Sequence, residues 1–267
     1  DSDKMLQRLL TEYRAKRYSV DVLNFGGGFH TQVLLENGVA GAYLSPESKH
    51  FAPAFKDKNG LWTTLYYNPL TIVYNTKVLA PADRPKDWFD LLNPRLKGHL
   101  AIEQEQLTWY AGMLKRHGAE KGRYFMQSLA KLDPRPEQSS RGNALLAAGE
   151  FGAYIGRGHI AEMFKKKGAP VEWIKNPDPL VVYPVTLQIA KNAPHPNSAK
   201  LLIDFMLSEP VAEVLAKEQR LPGRSNARGL DPAYKEINAE KIFPVPMEEV
   251  QANYRKYLDE YRNYFGS

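Results

Sequence analysis

The sequence predicts an α/β protein of two lobes, with the first lobe discontinuous and the second inserted into it. Three observations lead there. Short β-rich runs alternate with helical patterns along most of the chain. Pro-rich joints at residues 80–86 and 176–184 bracket a central block, residues 87–179. The length of 267 residues fits two domains, or one large α/β domain. A chain that leaves one lobe, builds another and returns makes two crossings, and the cleft of such a hinge is a natural ligand site. The boundaries read from the sequence are 1–75 plus 182–267 for the first lobe and 76–181 for the second.

The elements follow in order. Met5, Leu6, Leu9, Leu10 and Tyr13 fall on one face of an opening helix. A β-rich run at 19–23 leads to Gly26, Gly27 and Gly28 and then a helical stretch at 31–36. Strands are expected at 71–74, 99–102, 152–156, 171–174 and 185–190. Helices are expected at 109–117, 120–131, 143–149, 160–167 and 198–217. Val250, Tyr254, Tyr257, Leu258 and Tyr261 recur at helical spacing, so 248–264 reads as a helix with an aromatic packing face. No internal repeat is visible.

Composition narrows the function. The absence of Cys removes thiol nucleophiles, disulfides, Fe–S clusters and thiolate zinc sites. No apolar run approaches the ~20 residues that cross a bilayer, and the first ten residues lack a signal-peptide pattern. The net charge of +6 suits an anionic partner. The basic residues are scattered, with one tight run at Lys165, Lys166 and Lys167, so nucleic acid is not expected.

A longer pattern carries a family resemblance. Tyr74, Asn75, Thr76 and Lys77 are followed by Pro85, Lys86, Asp87, Trp88, Phe89, Asp90, Leu91, Leu92, Asn93, Pro94, Arg95, Leu96, Lys97 and Gly98. With Asp21–Val22, the run at 38–46, the Ala-Ala-Gly-Glu at 147–150 and the stretches 191–199 and 205–208, this resembles the extracellular solute-binding proteins of ABC importers, in the branch that includes ferric-ion-binding proteins. The resemblance covers roughly residues 5–222. It implies a type II periplasmic-binding fold and a non-catalytic, monomeric receptor without a cofactor. That receptor would be periplasmic, or extracytoplasmic and membrane-tethered, and would deliver a small solute to an inner-membrane permease. Family members begin with a strand, a helix and a second strand before the helix near Met5, so the resemblance implies ~50 further residues ahead of it.

The resemblance also implies an anion site at the start of a second-lobe helix, on Ser139, Ser140, Arg141, Gly142 and Asn143. A helix N-terminus offers unpaired N–H donors, and Ser and Arg suit oxyanions; Ser139 or Ser140 could equally be an N-cap. Ferric-binding members place two adjacent Tyr residues after the next strand, where this chain has Arg157, Gly158 and His159. A fixed guanidinium there favours an anionic solute and opposes Fe³⁺. No metal site is therefore expected, with a ferric or ferric-chelate receptor as the alternative. His30, after the glycines, and Tyr183, at the return crossing, are further candidates to line the cleft. Phe25 and Phe29 flank the glycines and could stack on a ligand. From another class, Glu103 and Glu105 would share one face of a strand end and could serve acid–base chemistry in a two-domain enzyme.

Overall fold

A computed structural model describes residues 2–243 and 245–266 of the chain. In order, the elements are α1 (Ser2–Arg14), β1 (Val22–Gly26), α2 (Gly28–Glu36), β2 (Ala40–Gly41), β3 (Thr63–Asn75), β4 (Leu100–Glu103), α3 (Leu107–His117) and α4 (Ala119–Ala130). There follow β5 (Arg135–Glu137), α5 (Ser139–Ala148), β6 (Ala153–Arg157), α6 (Gly158–Lys166), β7 (Val171–Trp173) and β8 (Leu180–Ala190). The chain continues through α7 (Pro196–Met206), α8 (Glu209–Lys217), β9 (Leu221–Pro222), α9 (Pro232–Lys235), β10 (Ile242–Phe243), α10 (Met247–Ala252) and α11 (Tyr254–Phe265).

Two units result. The first comprises Asp1–Tyr67, Tyr183–Asp231 and Pro246–Gln251, and the second Asn68–Val182, Pro232–Val245 and Ala252–Ser267. The first crossing thus falls inside β3, where the Pro-rich joint had put it beyond residue 75. Two C-terminal segments placed by sequence in the first lobe fall in the second unit. The reason is packing: Tyr257, Tyr261 and Phe265 of α11 are buried, and the Tyr257 ring meets Tyr110 of α3 edge-on at 5.3 Å. Helical spacing shows that a face is apolar but not which element will cover it.

In the first unit β1 runs antiparallel to the second half of β8, pairing Val22 with Ile189 and Gly26 with Val185. Leu23 and Phe25 alternate inward and pack with Leu6, Leu9 and Leu10 of α1 and Leu34 of α2. On a second core Leu187 and Ile189 meet Ala199, Ile203 and Leu207. Met5, expected on the buried face of α1, is 60% exposed. The stretch read as one helix at 198–217 is two, because the Ser208 and Pro210 region ends one and starts the next. Likewise 248–264 divides into α10 and α11 around Asn253.

In the second unit the later part of β3 pairs antiparallel with β6, which pairs parallel with β4, which pairs parallel with β5. Ile72, Ile155 and Ile102 face one another across three strands and are almost fully buried. Helices α3 and α4 connect β4 to β5, and α5 connects β5 to β6, as parallel pairing requires. The Tyr154 ring lies against two glycines. A Cβ at Gly156 would stand 2.1 Å from Tyr154 Cε1, and one at Gly142 would stand 2.4 Å from its Cζ. Gly156→Ala should therefore cost about 1–3 kcal/mol by overpacking and lower the melting temperature by several degrees. An unchanged midpoint would mean that the ring does not occupy that space.

Candidate functional site

Strands β5, β4 and β6 lie side by side and parallel, so their C-terminal ends meet at one edge, each followed by a helix. Ligand sites of open parallel sheets form beyond those ends. Here all three strands end on charge: Glu137, Glu103 and Arg157. Glu103 and Glu137 are register partners on neighbouring strands and both are buried. Two carboxylates this close need cations. Arg157 Nε donates to Glu103 Oε1 at 2.8 Å, and Arg135 and Arg141 reach Glu137 at 2.9 and 3.4 Å.

Glu103 is the centre of this group. Its Oε1 also accepts from Gln106 Nε2 at 3.0 Å, and the side chain is only 5% exposed. Burial pushes its carboxyl above the usual range, with Arg157 and the neighbouring Ser139 hydroxyl opposing. Asn143 Oδ1 and the Tyr154 hydroxyl are buried without a hydrogen-bond partner among the described residues. Burial, and then the nearby Glu103 charge, also push the Tyr154 phenol up.

The sequence candidates fall into place unevenly. Ser139, Ser140, Arg141, Gly142 and Asn143 are not a loop before a helix but the first residues of α5. The helix runs back to Ser139 because Gln138, extended, closes it through Gly142 N–H to Gln138 O at 2.7 Å. Neither serine is the N-cap: Gln138 holds that place and makes no side-chain cap bond, and no acidic residue sits in the first turn. The backbone donors of residues 139–141 thus lack partners within the helix. Asn143 is buried, its amide bound to Ser139 O at 2.9 Å. Arg141 is 73% exposed and paired with Glu137. Arg157 is not an uncompensated cation, since it holds Glu103. His159 is buried in the first turn of α6.

His30 and Tyr183 lie in the first unit, around the glycine turn. His30 Nδ1 is 2.9 Å from Gly26 O, and its ring stacks on Phe25 at 5.6 Å. The Tyr183 ring covers Gly26 and Gly27, where a Cβ on Gly27 would stand 2.5 Å from the Tyr183 hydroxyl. Gly27 has φ +88, so glycine is required there for backbone reasons also. Phe25 is a core residue.

Glu103 and Glu105 do not form an acid–base pair. Glu103 ends β4, whereas Glu105 sits in the following turn with φ +55, exposed and bound to Arg262 at 2.6 Å. A positive φ breaks the two-residue alternation that would have put both on one face. Sequence reasoning missed Glu103 as the partner of Arg157, and Tyr154 and Gln106 altogether. The one usable signal was Tyr154 two residues before Gly156, a small residue that leaves room for a ring.

Removing Arg157 leaves a buried carboxylate without its cation, a loss of about 3 kcal/mol for pairs of this kind. The sign with pH follows from the raised Glu103 pKa, which rises further in Arg157→Ala. A group whose folded pKa is raised gives its full stability below the unfolded value, about 4.3, and loses it as pH rises through the folded value. Urea melts should therefore show Arg157→Ala close to the unaltered protein at about pH 4 and well below it at about pH 7. An equal deficit at both would contradict the pairing.

Against known proteins, residues 20–244 match the family model for bacterial extracellular solute-binding proteins. A Salmonella typhimurium periplasmic protein named for 2-aminoethylphosphonate binding is 26% identical over 220 residues, covering 77% of this chain and 64% of that protein. The chain thus spans a little under two thirds of the length of that relative. Among solved structures, AfuA from Actinobacillus pleuropneumoniae, with fructose-6-phosphate bound, superposes with a TM-score of 0.79 at 22% identity, covering 98% of this chain and 87% of AfuA. The Campylobacter jejuni ferric binding protein gives a TM-score of 0.82 at 16% identity, covering 98% and 88%. The α/β fold is the type II periplasmic-binding fold, and no described helix is long and apolar enough to cross a membrane. With its family model matched across 225 residues, the chain belongs to the bacterial extracellular solute-binding protein family.

Proposed function

We propose that the chain is the solute-recognising receptor of an ABC importer, acting outside the cytoplasmic membrane without catalysis and taking an anionic solute. The single observation that carries the anion reading is the edge formed by Arg157 and the start of α5. There the helix presents three backbone N–H groups, no acidic residue, and a guanidinium one carboxylate away. A helix N-terminus with a nearby cation is a physical match for a phosphate or phosphonate oxyanion. Ser140, exposed in the first turn, supplies a hydroxyl. Arg141 adds a second positive charge at the rim. The Salmonella relative's name and the sugar phosphate in AfuA support the same class of solute. The receptor would hand its solute to a membrane permease as a monomer.

The competing reading, a ferric receptor, rests on the ferric binding protein's fold. Fe³⁺ needs phenolates and a carboxylate free to compensate its charge. In this chain burial raises the Tyr67 phenol to about 12, and Glu103 already serves Arg157. Titration with ferric citrate should give no visible tyrosinate charge-transfer band, whereas a strong band at one equivalent would favour iron.

Calorimetric titration with inorganic phosphate, a phosphonate, sulfate and a neutral sugar tests the anion reading. At least one oxyanion should bind with one-to-one stoichiometry, and Arg157→Gln should weaken it about tenfold or more, the worth of a charge-assisted hydrogen bond. Binding indifferent to that change would place the solute elsewhere.

A further inference from the structure

The turn between β4 and α3 holds Glu103, and its conformation is fixed by the far end of the chain. Tyr261 of α11 is fully buried and donates its hydroxyl proton to Glu103 O at 2.6 Å. The next residue, Arg262, holds the Glu105 carboxylate at 2.6 Å. Glu105 has the left-handed φ of +55, which a non-glycine residue keeps only when its surroundings hold it. Within the turn, Gln106 Nε2 bonds both Glu103 Oε1 and Gln104 O, at 3.0 and 3.2 Å. Gln104 N–H reaches Glu137 O at 3.1 Å, two residues before α5 begins. Helix α11 is itself held by Glu260, whose carboxylate accepts from the Tyr110 hydroxyl and from Arg123.

We infer that Tyr261 and Arg262 are positioning residues for the solute site. They fix the turn of residues 103–106 and thereby the Glu103 carboxylate, which sets the direction of the Arg157 guanidinium and abuts Ser139. The chain of contacts runs from Tyr261 to the Glu103 backbone, from the Glu103 side chain to Arg157, and from Gln104 to the strand that feeds α5. It places a determinant of solute affinity more than about 100 residues along the chain from the groups that touch the solute, Arg157 and the first turn of α5. A merely structural role for α11 would predict lost stability with an unchanged site, so stability alone does not decide the matter. The inference rests on the anion reading for its binding consequence, but the link from Tyr261 to Arg157 is observable without any solute.

Two measurements test it on the full chain. The first is exchange of the Arg157 Nε–H proton by NMR, assigned with Arg157→Lys. Tyr261→Phe removes one hydroxyl and keeps the ring, and should speed that exchange several-fold under conditions where the variant is fully folded. Arg262→Ala, a change at an exposed pair, should do the same to a smaller extent and serves should Tyr261→Phe not fold. Unchanged exchange in the folded variants overturns the inference. The second is calorimetric titration with inorganic phosphate. Tyr261→Phe should weaken binding about fivefold, the factor for one hydrogen bond, and should have no further effect on top of Arg157→Gln. Equal effects in both backgrounds would mean that α11 acts through something other than Arg157, and would also overturn the inference. Phosphate that fails to bind the unaltered protein overturns the anion reading alone, and the exchange measurement then decides the inference by itself.

Discussion

The ion pair between Glu103 and Arg157 is the constraint on which the second unit's candidate site depends. A buried carboxylate without a cation is costly, and burial alone pushes Glu103 toward its neutral form. Arg157 keeps it tied down at 2.8 Å, and the price is that the guanidinium's direction is set by the protein before any solute arrives. Preorganisation of this sort lowers the ordering cost of binding. It also tempers the site: three guanidinium groups, of Arg135, Arg141 and Arg157, face the two buried carboxylates of Glu103 and Glu137. An oxyanion at the start of α5, as proposed, would therefore meet a modest positive excess instead of a bare cation cluster.

The geometry of the sheet explains why these groups converge. Parallel strands order their C-terminal ends on one edge, so residues 103, 137 and 157 meet although they are far apart in sequence. The first unit has its own structured turn of a different kind, with Tyr183 laid over Gly26 and Gly27 and His30 anchored on Gly26 O. Both turns open a helix, α2 in one unit and α5 in the other.

Much of this was legible in the sequence. The alternation of strands and helices follows from hydrophobic periodicity, and the strands around 101, 154 and 172 came out within a few residues because their apolar runs are bounded by Gly and Pro, whereas the strand expected at 71–74 starts eight residues earlier, at Thr63, and runs through Pro69. The start of α5 was misplaced because Ser139, Ser140 and Gly142 are poor helix formers, and the helix forms there through packing of Gly142 on Tyr154. Arg157 stood out at a strand end, but its partner did not, since a pairing of residues 54 apart is set by strand order and leaves no local trace. The Glu103 and Glu105 spacing misled for a local reason: the left-handed turn at Glu105 sends its side chain to Arg262. The aromatic stripe of α11 announced a buried face, while its role in holding the 103–106 turn depends on a tertiary contact.

The central claim is that an oxyanion is held by the first turn of α5 together with an Arg157 already oriented by Glu103. A crystal structure of the protein grown with saturating phosphate or a phosphonate tests it most directly. The account predicts anion oxygens within hydrogen-bond distance of the backbone N–H groups of residues 139–141 and of the Arg157 guanidinium, with the Arg157 Nε to Glu103 Oε1 bond still in place. An anion bound elsewhere, or an Arg157 that abandons Glu103 to reach it, would contradict the account.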